Sequence, residues 1–227
     1  MLFPSQAPIL RKGDPVSKHD TVDPLRATPR AAKICIMAGA TNMRGLITTI
    51  GYGNGSWEEF IQRLRPHNIE FLIDVRTRPA SRTPEFNRDV CATLLEREGI
   101  KYIYLGDNLG GMPDDPECYV DGKVDYTRCE ARAEFKSGLL RIRNALEGGH
   151  RAVLMCSELD PERCHRSKLI GEALGREGVA VTHIDRDGSQ VSHDAVIRRL
   201  TGGQEPLFGN EFTSVGKHAP PGQESAA

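Results

Sequence analysis

The chain has 227 residues, 30 basic against 31 acidic side chains, a net charge of −1, 38% hydrophobic residues, 14 Pro and 23 Gly. This length suffices for one full core, and the balanced charge excludes a dominant nucleic-acid or membrane field while leaving room for local basic patches. The low apolar share with many Pro and Gly points to flexible ends, and no apolar run approaches the ~18 residues of a membrane span, so no membrane partner is expected.

Residues 1–32 carry five prolines and little apolar periodicity, and read as a flexible arm. The opening lacks a basic stretch followed by an apolar one, so no signal peptide is expected. Six cysteines (Cys35, Cys91, Cys118, Cys129, Cys156, Cys164) follow no disulfide framework, which suits a reducing compartment, the cytoplasm. An α/β domain is expected over 33–203, followed by a flexible tail over 204–227.

Within the domain, KICIMAG reads as a short strand and GLITTIG as a firmer one, ending in the glycines of GYGNG. Ser56 caps WEEFIQRLRPH, with Glu59 completing a capping box. IEFLIDVR is a buried strand, TRPASRTPEFN a loop, and Asn87 the cap of a helix reaching Gly99. KYIYLGD is a third strand. The stretch NLGGMPDDPECYVDGKVDY is too rich in Gly, Pro and Asp for regular structure and reads as a long functional loop. One helix is expected from Tyr126 to Glu147, then strand RAVLMC, helix PERCHRSKLIGEALGREG, strand VAVTHID and helix SHDAVIRRLTGG. Strands alternating with helices at this spacing give a single α/β domain, with a mostly parallel central sheet flanked by helices on both faces. Ligands bind such sheets at the carboxyl ends of the strands, where GYGNG, DVRTRPASR, GDNLGG and CSELDPERCHR all fall.

The densest chemistry lies in VLMCSELDPERCHRSKL. Asp160 and Pro161 form a helix-start signal, placing Cys164, His165 and Arg166 in the first turn. At 100° per residue, Arg166 projects into the buried arc defined by Leu169, Ile170, Ala173 and Leu174, while Cys164 points away from it. A buried Arg166 needs a partner, for which Asp74 or a bound anion is the candidate. A cysteine alone is most often a buried packing residue, but Glu158, His165 and Arg166 favour a reactive site. A zinc reading through Cys156, Cys164 and His165 lacks the usual short cysteine spacing. The acidic residues of the loop speak against a phosphatase-type anion cradle.

Arg76, Arg78 and Arg82 present planar donor forks that suit phosphate or carboxylate, or form a solvated basic loop. GYGNG lacks the full dinucleotide-binding pattern. Tyr126 and Arg132 are candidates to face the site. QEPLF resembles the short motif by which replication and repair proteins dock on the sliding clamp, with Gln204, Leu207 and Phe208 as its anchors.

TIGYGNGSWEEFIQRL, IEFLIDVRTRPASRTPEFN, KYIYLGDNLGG and VLMCSELDPERCHRSKLIGEAL together resemble the bacterial and archaeal domain of unknown function 488 family, over about residues 46–186. By position, the family signature falls on Gly51, Asn54, Asp74, Arg76, Pro79, Arg82, Phe86, Asn87, Leu109, Gly110, Cys156, Glu158, Cys164, His165, Arg166 and Ser167. Tyr52 stands where members often carry His. A more distant likeness is to rhodanese-type sulfurtransferases, which implies sulfur transfer; the loop after Cys156 is longer and more acidic than theirs.

Three functions follow. The first is an enzyme with Cys156 as thiolate nucleophile, Arg166 stabilising it, His165 or Glu158 managing protons and Cys164 as a resolving thiol. Its substrate, an anionic small molecule or nucleotide, would meet Gly51, Asn54, Asp74, Arg76, Arg78, Arg82, Asn87, Tyr126 and Ser167. The second is a nucleotide or nucleic-acid binding module linked to DNA maintenance. The third is a metal-binding protein through Cys156, Cys164 and His165.

Overall fold

The computed structural model describes residues 45–204 and 212–218. The arm, the KICIMAG strand, and Leu207 and Phe208 of the clamp-like motif lie outside the described residues. The elements in chain order are β1 (Leu46–Gly51), α1 (Trp57–Leu64), β2 (Phe71–Asp74), α2 (Arg88–Arg97), β3 (Lys101–Tyr104), α3 (Gly106–Leu109), β4 (Tyr119–Val120), β5 (Lys123–Val124), α4 (Tyr126–Ala131) and α5 (Ala133–Glu147). There follow β6 (Ala152–Cys156), a π-helical segment (Arg166–Gly171) that runs into α6 (Glu172–Arg176), then β7 (Ala180–Ile184), β8 (Gln190–Ser192) and α7 (His193–Thr201).

Six strands form one sheet in the order β3-β2-β6-β1-β7-β8, parallel throughout except for β8, which pairs antiparallel with β7. Alternation along the central strands divides the core into two layers. Ile50, Leu72, Val153 and Met155 meet Phe60, Ile61, Leu64 and Leu95 of α1 and α2 on one face. Ile47, Ile73, Leu154 and Val181 meet Phe135, Leu139, Ile142 and Leu174 on the other. This is the expected single α/β domain with helices on both faces. The capping box forms as read: Ser56 Oγ accepts from Glu59 N, and Glu59 Oε2 accepts from Ser56 N. Among the described residues no helix is long and apolar enough to cross a membrane.

Three local expectations are corrected, and one strand is additional. The helix read as continuous from Tyr126 to Glu147 breaks at Arg132, whose extended backbone (φ −65°, ψ 141°) ends α4 and starts α5. The Gly/Pro/Asp stretch read as a loop begins inside α3, which takes over the end of the expected strand KYIYLGD, and contains the β4–β5 hairpin, with Asp121 and Gly122 at positive φ supplying the turn. β8, too short for a periodic signal, is an unexpected strand that folds back on β7 through the Asp185–Ser189 turn, where Gly188 takes positive φ. The helix read from Pro161 begins later, with consequences for Cys164 described below.

A buried polar chain ties β1, β7, α7 and α6 together. Thr49 Oγ1 lies 2.7 Å from His183 Nδ1, His183 Nε2 lies 3.0 Å from His193 Nδ1, and His193 Nε2 lies 2.9 Å from Glu172 Oε1. Burial, then the neighbouring His193, push the His183 imidazole down from 6.5 to about 2. Between those values the unfolded chain takes up a proton that the folded chain refuses, so stability present above pH 6.5 is lost as pH falls. Urea unfolding at pH 5 is expected to show about 2 kcal/mol less stability from this residue than at pH 7. The His183→Gln variant, less stable at neutral pH, should show a flatter slope between these two points. An unchanged slope would remove His183 as the cause.

Candidate functional site

Cys156 is the last residue of β6 and stands in register with Gly51 at the end of β1. The chain then passes through an acidic loop and a 3₁₀ turn, Pro161–Arg163. Asp160 starts that turn, but its carboxylate accepts from Arg186 Nη2 at 2.6 Å rather than capping. Cys164 is extended (φ −107°, ψ 148°), not helical. Its carbonyl accepts from Ser167 N at 3.3 Å and Lys168 N at 3.2 Å. Its Sγ accepts from Arg166 N at 3.5 Å. Cys164 thus sits where a capping serine would, with its sulfur turned to the helix start. The expected outward direction of Cys164 is therefore wrong: the 100° rule assumed a helical residue, and the helix has not yet begun.

This turn brings Cys156, Cys164 and His165 together. Cys156 Sγ and Cys164 Sγ each lie 3.8 Å from His165 Nδ1, and the three side-chain atoms fall within 4.8 Å of one another. The residues are 6%, 3% and 8% exposed. His165 Nε2 is 3.0 Å from Val75 O. A carbonyl only accepts, so Nε2 carries the proton, and a neutral ring presents the Nδ1 lone pair to the sulfurs. Gly111 makes room for that ring edge, since a Cβ there would lie 2.6 Å from His165 Cγ and 2.8 Å from Nδ1. The Cys164 thiol, donating to Cys156, holds the Cys156 thiol well below its ordinary value against the opposing effect of burial, with His165 and Arg166 adding to the effect. Burial and the Cys156 sulfur push Cys164 well above its own. By contrast, burial pushes Cys91, in the opposite core layer, up to about 12.

Arg166 is fully buried, as expected, but Asp74 is not its partner. Its Nη1 donates to Glu158 O and its Nη2 to Leu159 O, the latter at 2.8 Å, so the guanidinium ties down the acidic loop. Asp74 is already engaged by Arg76, whose Nε and Nη2 reach the carboxylate at 2.9 and 2.5 Å, and by Tyr102 Oη at 2.6 Å. Arg76 Nη1 also donates to Tyr52 Oη at 3.0 Å, and Tyr52 stacks on Phe86 with ring centroids 3.9 Å apart. Two residues apart on one strand end, Asp74 and Arg76 pair before either can serve a distant residue.

The sulfurs and His165 open on a cavity of ≈ 260 Å³ lined also by Arg76, Thr77, Arg78, Met112, Tyr126, Glu158 and Arg163, and by Ser214, Val215 and His218. Arg78 and Arg163 are exposed, and neither forms an ion pair among the described residues. A second, polar groove of ≈ 730 Å³ holds Asn54, Arg82 and Arg186 and shares Ser157 and Glu158 with the first. Gly51, Asp74, Asn87, Arg166 and Ser167 line neither. Asn87 Oδ1 accepts from Ser81 N at 2.7 Å and shapes the arginine loop, while Ser167 Oγ donates to Pro161 O and Cys164 O. Arg132, the other candidate on the helix, ion-pairs with Asp115 and Glu134 instead.

Residues 212–218, from the stretch expected to be a tail, cross this cavity. Ser214 N donates to Val124 O at 3.0 Å, and the buried Lys168 Nζ donates to Thr213 O at 2.9 Å. Lys168, Gly111, Arg163 and the crossing segment were not among the candidates. At 100° per residue Lys168 falls opposite the buried arc of the expected helix, so periodicity gave no sign of it; it is buried because the segment is π-helical and residues 212–218 cover it.

The fold and site define an α/β protein with a buried two-cysteine, one-histidine cluster at the carboxyl ends of its central strands. Residues 56–173, more than half of the chain, match the family described as Domain of unknown function DUF488, and the chain belongs to that family. No curated protein and no solved structure matches the chain.

Proposed function

We propose that the chain is a cysteine-dependent enzyme whose reacting centre is Cys156 with Cys164 and His165, and whose substrate carries an anionic group. The observation that carries this reading is the convergence of three electron-pair donors at a cavity rimmed by Arg78 and Arg163, which form no ion pair among the described residues. A packing role for the cysteines leaves the third donor unexplained, because an apolar core gains nothing from an imidazole lone pair aimed at two sulfurs. Cys156 supplies the thiolate. His165 and Glu158 are the proton-carrying groups, and Arg78 and Arg163 hold the anion. Sulfur transfer and thiol exchange, the chemistry of the rhodanese likeness, both begin from such a thiolate. The adjoining groove, with Asn54 and Arg82, favours a nucleotide-like body on the substrate.

The test compares iodoacetate, an anion, with neutral iodoacetamide on the chelator-dialysed chain, with each cysteine's labelling followed by mass spectrometry. Cys156 is expected to label first and to prefer iodoacetate. The Arg78→Ala/Arg163→Ala variant should lose about tenfold in the iodoacetate rate while its iodoacetamide rate holds. Labelling of Cys156 no faster than Cys91 with either reagent would overturn the reading.

A further inference from the structure

We infer that Cys156, Cys164 and His165 hold a soft divalent cation of the zinc class, with its fourth coordination position open to the ≈ 260 Å³ cavity. This rests on the reading that the cluster is the reacting centre and changes one role in it: with the cation bound, Cys156 is a ligand, and the oxygen the cation polarises takes the place of the free thiolate as the reacting group. In a tetrahedral site with bonds of about 2.3 Å to sulfur and 2.0–2.1 Å to nitrogen, the sulfur-to-nitrogen edge is about 3.6 Å and the sulfur-to-sulfur edge about 3.8 Å. Both sulfurs here stand 3.8 Å from His165 Nδ1, so a cation between them requires only small movements.

The surroundings prepare all three donors. The Nε2–H of His165 is anchored on Val75 O, which fixes the tautomer and leaves Nδ1 as the ligating atom. The Arg166 N–H points to Cys164 Sγ, a bond that favours thiolate over thiol at the helix start. Two thiolates and a dication sum to zero charge, which a site this deeply buried tolerates far better than it would a lone pair of thiolates. The donors are sulfur and nitrogen without a carboxylate, which selects zinc-class ions over calcium or magnesium. The spacing from Cys156 to Cys164 is too long for a zinc knuckle. The 3₁₀ turn and the extended Cys164 close that distance instead.

Three protein ligands and an accessible fourth position make a reactive site rather than a closed structural one. The Cys156 thiolate would donate its electron pair to the cation, and the cation would polarise a water or an anionic oxygen of the substrate bound beside it. Arg78 and Arg163 stand at the same cavity to hold the substrate's remaining charge.

The test uses the full-length chain, dialysed against chelator and titrated with Co(II), which takes the same site and reports through its spectrum. The expected result is a single ion per chain, with tetrahedral d–d bands and a sulfur-to-cobalt charge-transfer band, displaced by Zn(II). Cys156 in the loaded chain should be protected from iodoacetate until chelator is added. Cys164→Ala should abolish the charge-transfer spectrum of the site, whereas Cys91→Ala should retain it. Gly111→Ala, which removes no ligand but crowds the His165 ring, should weaken Co(II) binding by about tenfold. Thermal melts of each variant separate loss of the site from loss of the fold. If wild-type protein takes up no Co(II) while Cys156 labels selectively, the cation is overturned and the reacting centre stands. If it takes up no Co(II) and Cys156 is inert, both fall.

Discussion

Asp74→Ala is expected to cost the chain about 3–5 kcal/mol in urea unfolding, with a fall in Tm of roughly 10 °C. Asp74 is fully buried and Arg76 is 4% exposed. The carboxylate accepts from Arg76 N at 3.0 Å, from its guanidinium through Nε and Nη2, and from Tyr102 Oη. Burial alone would pull the Arg76 guanidinium down, and the hydrogen bonds and charge of Asp74 more than offset it, so its proton is held above the ordinary value. Removing the carboxylate strands that charge inside the protein, together with the Tyr102 hydroxyl. Arg76→Met should be costly for the opposite reason, since it leaves a buried carboxylate. The double variant Asp74→Leu/Arg76→Met should recover most of the loss, because the penalty lies in uncompensated charge rather than in the pair itself. A single-variant cost below about 1 kcal/mol would show that water reaches the pair.

Gly51→Ala is expected to cost about 3 kcal/mol, the upper end for overpacking a tight site, and to abolish preferential labelling of Cys156. A Cβ on Gly51 would fall on the Glu158 carbonyl oxygen and 2.7 Å from Arg166 Nη1. That carbonyl is a backbone group held by Arg166, so it cannot swing aside as a flexible side chain would. The strand end, the acidic loop and Arg166 would have to move together, and Cys156 pairs with Gly51 across the sheet. Gly175→Ala is the control. It lies in α6 with nothing within 4 Å of the added carbon, so a gain of about 0.5 kcal/mol from helix propensity is expected. Equal effects at the two positions would refute the close-approach argument. Chemical denaturation and the labelling assay read both.

The parts of the fold legible in the sequence were those specified locally. The capping box at Ser56 and Glu59, the buried strand FLID and the strand ending in Cys156 each draw on neighbours a few residues away. Alternating strand and helix signals then left few options but a parallel sheet, and such a sheet directs attention to the carboxyl ends of its strands. The inward direction of Arg166 was legible as well, because Leu169, Ile170 and Leu174 do lie in a helix and mark its buried side.

What was misread depended on where regular structure starts. Asp160 and Pro161 are a true start signal, but for a 3₁₀ turn, and this misplaced Cys164. Asp74 pairs with Arg76 rather than Arg166, because two residues on one strand end meet before either reaches a partner on another element. No local pattern placed residues 212–218 over the cavity: Lys168 and Thr213 are 45 residues apart, and their hydrogen bond leaves no periodicity in either segment.

By itself the sequence determined the alternation of elements, the parallel sheet, and the gathering of cysteine, histidine and arginine near one strand end. These follow from side-chain periodicity and backbone preferences, which act over a few residues. The tertiary structure alone decided which atoms meet: two sulfurs and Nδ1 at one cavity, Arg166 on the loop carbonyls, Asp74 on Arg76, and the 212–218 segment across the opening. Those pairings are set by competition among buried polar groups for partners, and burial exists only once the layers have packed.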